Sequence, residues 1–335
     1  MIRASGLTEV SREQLDLGQA HDFKIHSAIP YEVVATDVQD TERMTNVLQS
    51  GKAIVSEPHL EVVRQAMRAE IFPDKIVEED RSAHRVAFGR VIGRRPQKRS
   101  GQGHIMTVAI KPFGDTDGAI SEIKGYWALQ DVGVETYDPV GIFPLSSMAG
   151  FAVVTQKRND FQSLDRDEWV VGRQVYDEES EDTVQRNART IKEIAEITAW
   201  INANGIFHPD GQIKNYAVTD YGQLGIIDTE NLTVLPLGHP DTVGLVVDNI
   251  EKLMKSLIDT SSDDKIFGVG FFAGLSEGRL QESFEELVLN PYIDKLMSLY
   301  EDGQIDASQA ELLIDGLTSH YMINKTSGWP KVLVA

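Results

Sequence analysis

A change in the spacing of apolar residues near position 156 limits the fold of this chain more than any other feature. Before it, β-branched and apolar runs alternate with polar turns, and the run Ile105 to Ile110 is typical of a buried strand. After it, apolar residues recur at helical spacing, as they do from Val184 to Ile201. This order predicts an α+β fold in which a β-rich part precedes a helical part, with the junction near residues 156–160.

The same periodicities predict the individual elements. Asn204-Gly205 predicts a helix stop, because Gly adopts the left-handed backbone at little cost. Asp220-Tyr-Gly222 has the composition of a hairpin turn. The predicted strands are 31–36, 83–92, 104–111, 140–144, 150–156, 216–219 and 223–227, and the predicted helices are 59–70, 121–130, 184–201, 242–258, 276–300 and 307–323.

Length and pattern together predict three segments. The chain has 335 residues, which exceeds the roughly 150 residues of an average domain. We expect an N-terminal extension of uncertain fold over 1–80, a β-rich lobe over 81–156 and a helical lobe over 157–335. The extension is a candidate surface for a protein partner.

Composition excludes several classes of function. The formal net charge of −20 makes nucleic acid and anionic membranes poor partners. The absence of cysteine excludes disulfides, thiolate metal sites and a cysteine nucleophile. No apolar segment has the length of a membrane helix, and the N-terminus lacks a signal-peptide core, so a cytoplasmic protein is expected.

The charge is unevenly distributed. Residues 81–111 contain eight Lys or Arg and no acid, whereas 177–182 hold five acids in six positions. The basic segment suits a phosphate ligand. The acidic run either attracts a cationic small molecule or forms a solvated loop.

Three separated stretches carry side chains suited to phosphate chemistry. Val108-Ala-Ile-Lys111 closes a β run with a cation. About 100 residues later comes His208-x-Asp210-x-x-x-x-Asn215, and an apolar strand then ends at Asp228. Each stretch alone is common, since a lysine often ends a strand and an asparagine often forms a turn. Their conjunction is specific.

In this order and spacing, the stretches resemble the protein-kinase-like superfamily over about residues 83–258, closest in style to aminoglycoside and choline phosphotransferases. The resemblance implies a two-lobed kinase-like fold, with ATP and Mg²⁺ as cofactors. It implies transfer of the γ-phosphate to a hydroxyl group of a small acceptor, for which the acidic run favours a cationic molecule.

The resemblance also implies roles for individual residues. Asp210 would accept or orient the proton of the acceptor hydroxyl, as the catalytic residue. Asn215 and Asp228 would bind Mg²⁺ through their oxygens. His208 would brace the loop. The residues implied in nucleotide binding are Lys111, which would hold the α- and β-phosphates, Glu122 as its helical partner, Gly89, Gly93 and Gln156.

The sequence departs from protein kinases at several points. No G-x-G-x-x-G is present, so the phosphates are covered either near Gly89 and Gly93 or by the basic turn 94–103. Asp228-Thr-Glu230 replaces Asp-Phe-Gly, and Glu230 is either an added metal ligand or a surface group. Gln212 stands where protein kinases usually carry Lys, and no Ala-Pro-Glu follows Asp228.

Two alternatives stay open. A pseudokinase or nucleotide-binding regulatory module would share the irregular phosphate loop. A protein-modifying kinase of the toxin or effector type would use residues 1–80 to recognise its target. The sequence does not distinguish ATP from GTP.

Overall fold

The computed structural model describes residues 22–23, 31–33, 40–60, 63, 66–71, 87–93, 105–145, 150–158, 160–164, 181–258 and 277–327. The chain divides into two compact units. Unit 1 contains Met1–Trp127 and Tyr137–Asn159, and unit 2 contains Ala128–Thr136 and Asp160–Ala335. Helices and mostly antiparallel sheets are both present, so the fold class is α+β.

Unit 1 contains an eight-stranded sheet in the spatial order β1-β4-β5-β6-β8-β7-β3-β2. Its neighbouring strands are antiparallel except for β2 and β3, which run parallel. Strands from the first 80 residues are therefore members of the same sheet as later ones. The strands are β1 (Asp22–Phe23), β2 (Tyr31–Val33), β3 (Ala53–Val55), β4 (Ala66–Ile71), β5 (Ala87–Gly93), β6 (Ile105–Phe113), β7 (Asp138–Leu145) and β8 (Gly150–Gln156).

Two helices contribute to the apolar core of unit 1. Helix α1 (Thr41–Gln49) begins after Asp40, whose carboxylate accepts the backbone N–H of Arg43 at 3.0 Å. Helix α2 (Thr116–Asp131) follows β6. Side chains of both helices and of four strands form one buried cluster that includes Met44, Leu48, Ile54, Phe113, Ile120, Ile123, Trp127, Ile142 and Val153.

The predicted helix over 59–70 is wrong in its second half: Leu60 and Val63 are helical, but the helix does not continue to residue 70. Glu57–His59 forms a short 3₁₀ turn, and strand β4 occupies Ala66–Ile71. From Met67 to Ile71 apolar and polar residues also alternate, which suits a strand. Pairing of β4 with β5 on one side and β1 on the other selects that alternative.

Unit 2 contains five α-helices and five short strands within the described residues. The helices are α3 (Glu181–Ala203), α4 (Thr242–Ile258), α5 (Glu277–Phe284), α6 (Asn290–Glu301) and α7 (Ala307–Ser327), with a π-helical turn at Glu285–Leu289 between α5 and α6. The strands are β9 (Phe161–Ser163), β10 (Ile206–Phe207), β11 (Tyr216–Thr219), β12 (Leu224–Ile226) and β13 (Thr233–Val234). Strands β12, β11 and β9 form one antiparallel sheet, and β10 pairs with β13.

The core of unit 2 surrounds α3. Gly205 ends this helix with φ of 73°, and a Cβ there would lie 2.3 Å from the carbonyl oxygen of Leu235, so only glycine fits. No helix in the described ranges is both long and apolar enough to span a bilayer. Core residues include Ile191, Ile194, Ala199, Ile201, Phe207, Tyr216, Ile226, Val246, Ile250, Leu253, Phe284, Val288, Tyr292 and Leu296.

Candidate active site

Lys111 of β6 forms an ion pair with Glu122 of α2 in unit 1. Lys111 Nζ lies 3.2 Å from Glu122 Oε2, and the side chains are 12% and 1% exposed. The hydroxyl of Tyr126, one helical turn after Glu122, donates to Oε1 at 2.8 Å. Both oxygens of this buried carboxylate thus have partners, as burial of a charge requires.

The sheet directs the lysine toward a defined position. Phe113 lies two residues later on β6, on the same face of the sheet, and its ring centroid is 5.6 Å from Lys111 Nζ. An ammonium group held by a buried carboxylate and an aromatic face is restricted in orientation. Such a lysine is suited to bind a phosphate group.

The other residues predicted to bind the nucleotide lie in strands of the same sheet. Gly89 pairs with Val108, and Gly93 pairs with Ala66, so both glycines are ladder residues of β5. Gln156 is half-buried at the end of β8. The alternative phosphate turn, 94–103, lies outside the described residues, and the roles of all three residues stay predictions.

In unit 2, Asp210 lies in the loop between β10 and β11, where four hydrogen bonds hold it. Its carbonyl oxygen accepts from Gln212 N at 2.7 Å and from Asn215 Nδ2 at 2.6 Å. Its carboxylate accepts from Gln212 Nε2 at 2.6 Å on Oδ1 and from Asn215 Nδ2 at 3.2 Å on Oδ2. Because the amide nitrogen of Asn215 faces Asp210, its amide oxygen is the atom suited to a cation.

Helix α4 packs against this loop. A Cβ on Gly211 would lie 2.1 Å from Nδ2 of Asn249, so glycine allows the loop to approach α4. The backbone N–H of Ile213 donates to Ser256 Oγ at 3.1 Å. The loop conformation is therefore fixed both by its own hydrogen bonds and by contacts with a long helix.

Asp228 follows β12 and is tied to the same loop. The N–H of Ile227 donates to the carbonyl oxygen of Asn215 at 2.9 Å, joining the two segments that carry the predicted metal ligands. One carboxylate oxygen of Asp228 lies within 4.8 Å of one of Glu230. The N–H of Glu230 also points to Asp228 Oδ1 at 3.4 Å. Oxygen donors in this arrangement fit Mg²⁺.

A second backbone contact fixes β12 from its other side. Thr136 Oγ1 donates to the carbonyl oxygen of Ile226 at 2.6 Å, and Ile226 N donates to that of Glu135 at 2.9 Å. A Cβ on Gly225 would lie 2.2 Å from Glu135 O. The strand that leads to Asp228 is therefore held on both edges.

His208 lies buried beneath the loop. Its ring stacks on that of Tyr216 with centroids 6.3 Å apart. Burial lowers the pKa of His208, and the charges of Asp228 and Asp210 oppose that shift less strongly. Neither ring nitrogen makes a well-formed hydrogen bond to a described residue. The nearby backbone of Asp228 also opposes the downward shift of the His208 pKa. A neutral imidazole is thus favoured.

Several supporting residues were not predicted from the sequence. Tyr216 is buried, its hydroxyl lies 3.2 Å from Thr198 Oγ1 of α3, and burial raises the pKa of Tyr216. Thr198 lies inside the apolar helical pattern from Val184 to Ile201, and Asn249 lies inside an amphipathic helix with no distinguishing spacing. The sequence distinguishes Gln212 only as a neutral residue where protein kinases usually carry Lys.

Comparisons with known proteins do not assign this chain to a family. No family model and no curated protein matches the sequence. Among solved structures, that of WaaP in complex with acyl carrier protein shows a TM-score of 0.36 and 16% identity, covering 78% of this chain and 97% of the other. A TM-score this low does not establish a shared fold.

Proposed function

We propose that this protein is a kinase-like phosphotransferase that uses ATP and Mg²⁺ to phosphorylate a hydroxyl group of a small acceptor. One observation carries the proposal. The carboxylate of Asp210 is held by the amide of Asn215, and the backbone of Asn215 is hydrogen-bonded to Ile227, which directly precedes Asp228. A candidate base and two candidate metal ligands thus lie in neighbouring, connected segments.

Each residue has a chemical task in this proposal. Asp210 accepts or orients the proton of the acceptor hydroxyl. The amide oxygen of Asn215 and the carboxylate of Asp228 would hold Mg²⁺, with Glu230 as a further carboxylate. When bound, Mg²⁺ neutralises negative charge on the triphosphate. Buried His208 remains neutral and packs beneath the loop as a structural brace.

The ion pair of unit 1 has a separate role in the proposal. Lys111 would bind the α- and β-phosphates, and Glu122 would keep its ammonium group in place. Gln156, Gly89 and Gly93 remain the proposed nucleotide-binding residues of the strands. A two-lobed kinase-like arrangement of the chain belongs to the same proposal.

The short connection after Asp228 favours a small acceptor over a peptide. Helix α4 begins at Thr242, and within this connection β13 already pairs with β10. Little chain is left for a peptide-binding platform. The acidic run 177–182 favours a cationic acceptor, and its residues before 181 lie outside the described part of the chain.

The test combines nucleotide binding with phosphate transfer. Thermal unfolding is followed with ATP, with and without Mg²⁺, and γ-labelled ATP is offered with pooled small-molecule acceptors. ATP should stabilise wild type and Asp210→Asn only when Mg²⁺ is present. For Asp228→Asn, adding Mg²⁺ should not change the effect of ATP on the unfolding midpoint. Transfer should fall by about 10²–10⁴-fold in Asp210→Asn, because the proton acceptor is lost.

The matched control is Asp248→Asn, which neutralises an exposed carboxylate on α4. It should behave as wild type in both assays. Stabilisation by ATP without any turnover would instead identify a pseudokinase. Label appearing on protein, and not on small molecules, would identify a protein-modifying kinase, and the absence of both binding and turnover would refute the proposal.

A further inference from the structure

Gln212 makes the shortest hydrogen bond to the carboxylate of Asp210. Its Nε2 lies 2.6 Å from Oδ1, whereas Asn215 Nδ2 lies 3.2 Å from Oδ2. The orientation of the Gln212 amide follows from chemistry, because an ionised carboxylate only accepts hydrogen bonds. Charge-assisted hydrogen bonds of this length are about twice as strong as neutral ones.

The backbone brings Gln212 back toward Asp210. Gln212 N donates to the carbonyl oxygen of Asp210 at 2.7 Å, which makes a three-residue turn around Gly211. Gly211 is pressed against Asn249, and the residue after Gln212 is anchored to α4 through Ser256. Because the backbone at Gln212 is fixed, its side chain loses little conformational freedom when it binds Asp210.

Gln212 and Asn215 bind Asp210 in different ways. Nδ2 of Asn215 donates both to the carbonyl oxygen and to Oδ2 of Asp210. The amide oxygen of Asn215 is a proposed metal ligand. Asn215 would therefore serve both Asp210 and the metal. Gln212 is the other described donor to the carboxylate, and it carries no proposed metal contact.

We propose that Gln212 is a positioning residue that holds Oδ1 of Asp210 and thereby presents Oδ2 to the acceptor, an inference that rests on the proposed function. In the transfer step, the acceptor oxygen forms a bond to the γ-phosphorus, and its proton passes to Oδ2. The bond from that phosphorus to the bridging oxygen breaks, and ADP leaves with the electron pair. Oδ2 takes this part because its hydrogen bond is longer than that of Oδ1.

The test compares four variants with wild type by kcat and by KM for ATP. Gln212→Met keeps the length of the side chain but removes the donor, so kcat should fall about 10–100-fold while KM changes little. Gln212→Lys restores a donor and should recover most of the loss. Gln212→Glu places a second carboxylate beside Asp210 and should be at least as slow as Gln212→Met. Gln223→Met, at an exposed position of the β11–β12 hairpin, is the matched control and should equal wild type.

A second measurement does not need turnover. Unfolding midpoints of Asp210→Ala, Gln212→Met and the double variant should be non-additive, because each single change removes the same hydrogen bond. Additive midpoints, a Gln212→Met enzyme with wild-type kcat, or a lysine variant no faster than the methionine variant would each overturn the inference. If wild type transfers no phosphate, the proposed function fails, and the unfolding cycle still decides whether Gln212 holds Asp210.

Discussion

The Lys111–Glu122 pair of unit 1 and the Asp210 loop of unit 2 are built in opposite ways. The pair joins a nine-residue strand to a sixteen-residue helix, and its carboxylate is almost fully buried. The loop lies between two short strands, and Asp210 is only half-buried. Regular elements bring two opposite charges together in the first case, whereas in the second, hydrogen bonds within six residues hold one carboxylate against neutral amides.

This difference shows which kind of change each region tolerates. A buried charge depends on its partner, so the pair should be sensitive to loss of charge even when volume is conserved. The loop depends on close backbone approach and short hydrogen bonds, so it should be sensitive to added volume. The following predictions address that contrast.

The largest effect is expected for Lys111→Met. It removes the cation beside Glu122, so we expect a loss of about 3 kcal/mol in the free energy of unfolding. Replacing both residues, as Lys111→Met with Glu122→Leu, should recover part of this loss because no buried charge is left. Urea denaturation of the three proteins measures these values.

An exposed ion pair provides the control. Lys192 Nζ lies 3.3 Å from Glu286 Oε1, with the two side chains 40% and 72% exposed. Lys192→Met should cost less than about 1 kcal/mol, as is usual for surface pairs. Equal losses at the two lysines would show that burial does not distinguish them.

A smaller effect is expected for Gly211→Ala. The added Cβ would collide with Nδ2 of Asn249, so we expect a loss of about 2 kcal/mol in stability together with reduced phosphate transfer. Asn249→Ala should restore part of both in the double variant. Gly244→Ala on α4, where a Cβ meets nothing within 4 Å, should be neutral or stabilising. A Gly211→Ala protein as stable as Gly244→Ala would contradict the close approach.

The smallest effect concerns pH. Burial lowers the pKa of His208 below its ordinary value of 6.5, so the unfolded chain binds a proton that the folded chain resists. Stability contributed by the neutral ring is present above pH 6.5 and is lost as the pH falls below it. His208→Phe should therefore make this decline between pH 6.5 and 5 less steep. Parallel pH profiles of unfolding for the two proteins would contradict this assignment.

Much of the secondary structure could be predicted from local pattern. Strands Gly150–Gln156 and Tyr216–Thr219 and helix Thr242–Ile258 have the bounds that periodicity and turn residues predict. In each case the local signal and the tertiary environment agree. The second half of the segment 59–70 shows the limit, because its apolar residues fit two periods and pairing with β5 makes Ala66–Ile71 a strand.

The candidate site divides in the same way. The spacing of Asp210 and Asn215 places both in one loop, so their proximity could be expected. The contact of Glu122 with Lys111 depends on a strand and a helix that the sequence also predicts. Asn249 contacts Gly211 across 38 positions of chain, and nothing in its neighbourhood distinguishes it from other residues of an amphipathic helix. Such contacts arise only from packing.

The β11–β12 hairpin has a consequence for how the protein folds. It joins Asn215 to Asp228 through a short loop, and their segments meet through sequence-local pairing. Local pairings form faster than those that close long loops, because less chain entropy is lost. The proposed metal ligands Asn215 and Asp228 should therefore come together early in folding, before the eight-stranded sheet completes pairings such as that of β3 with β7.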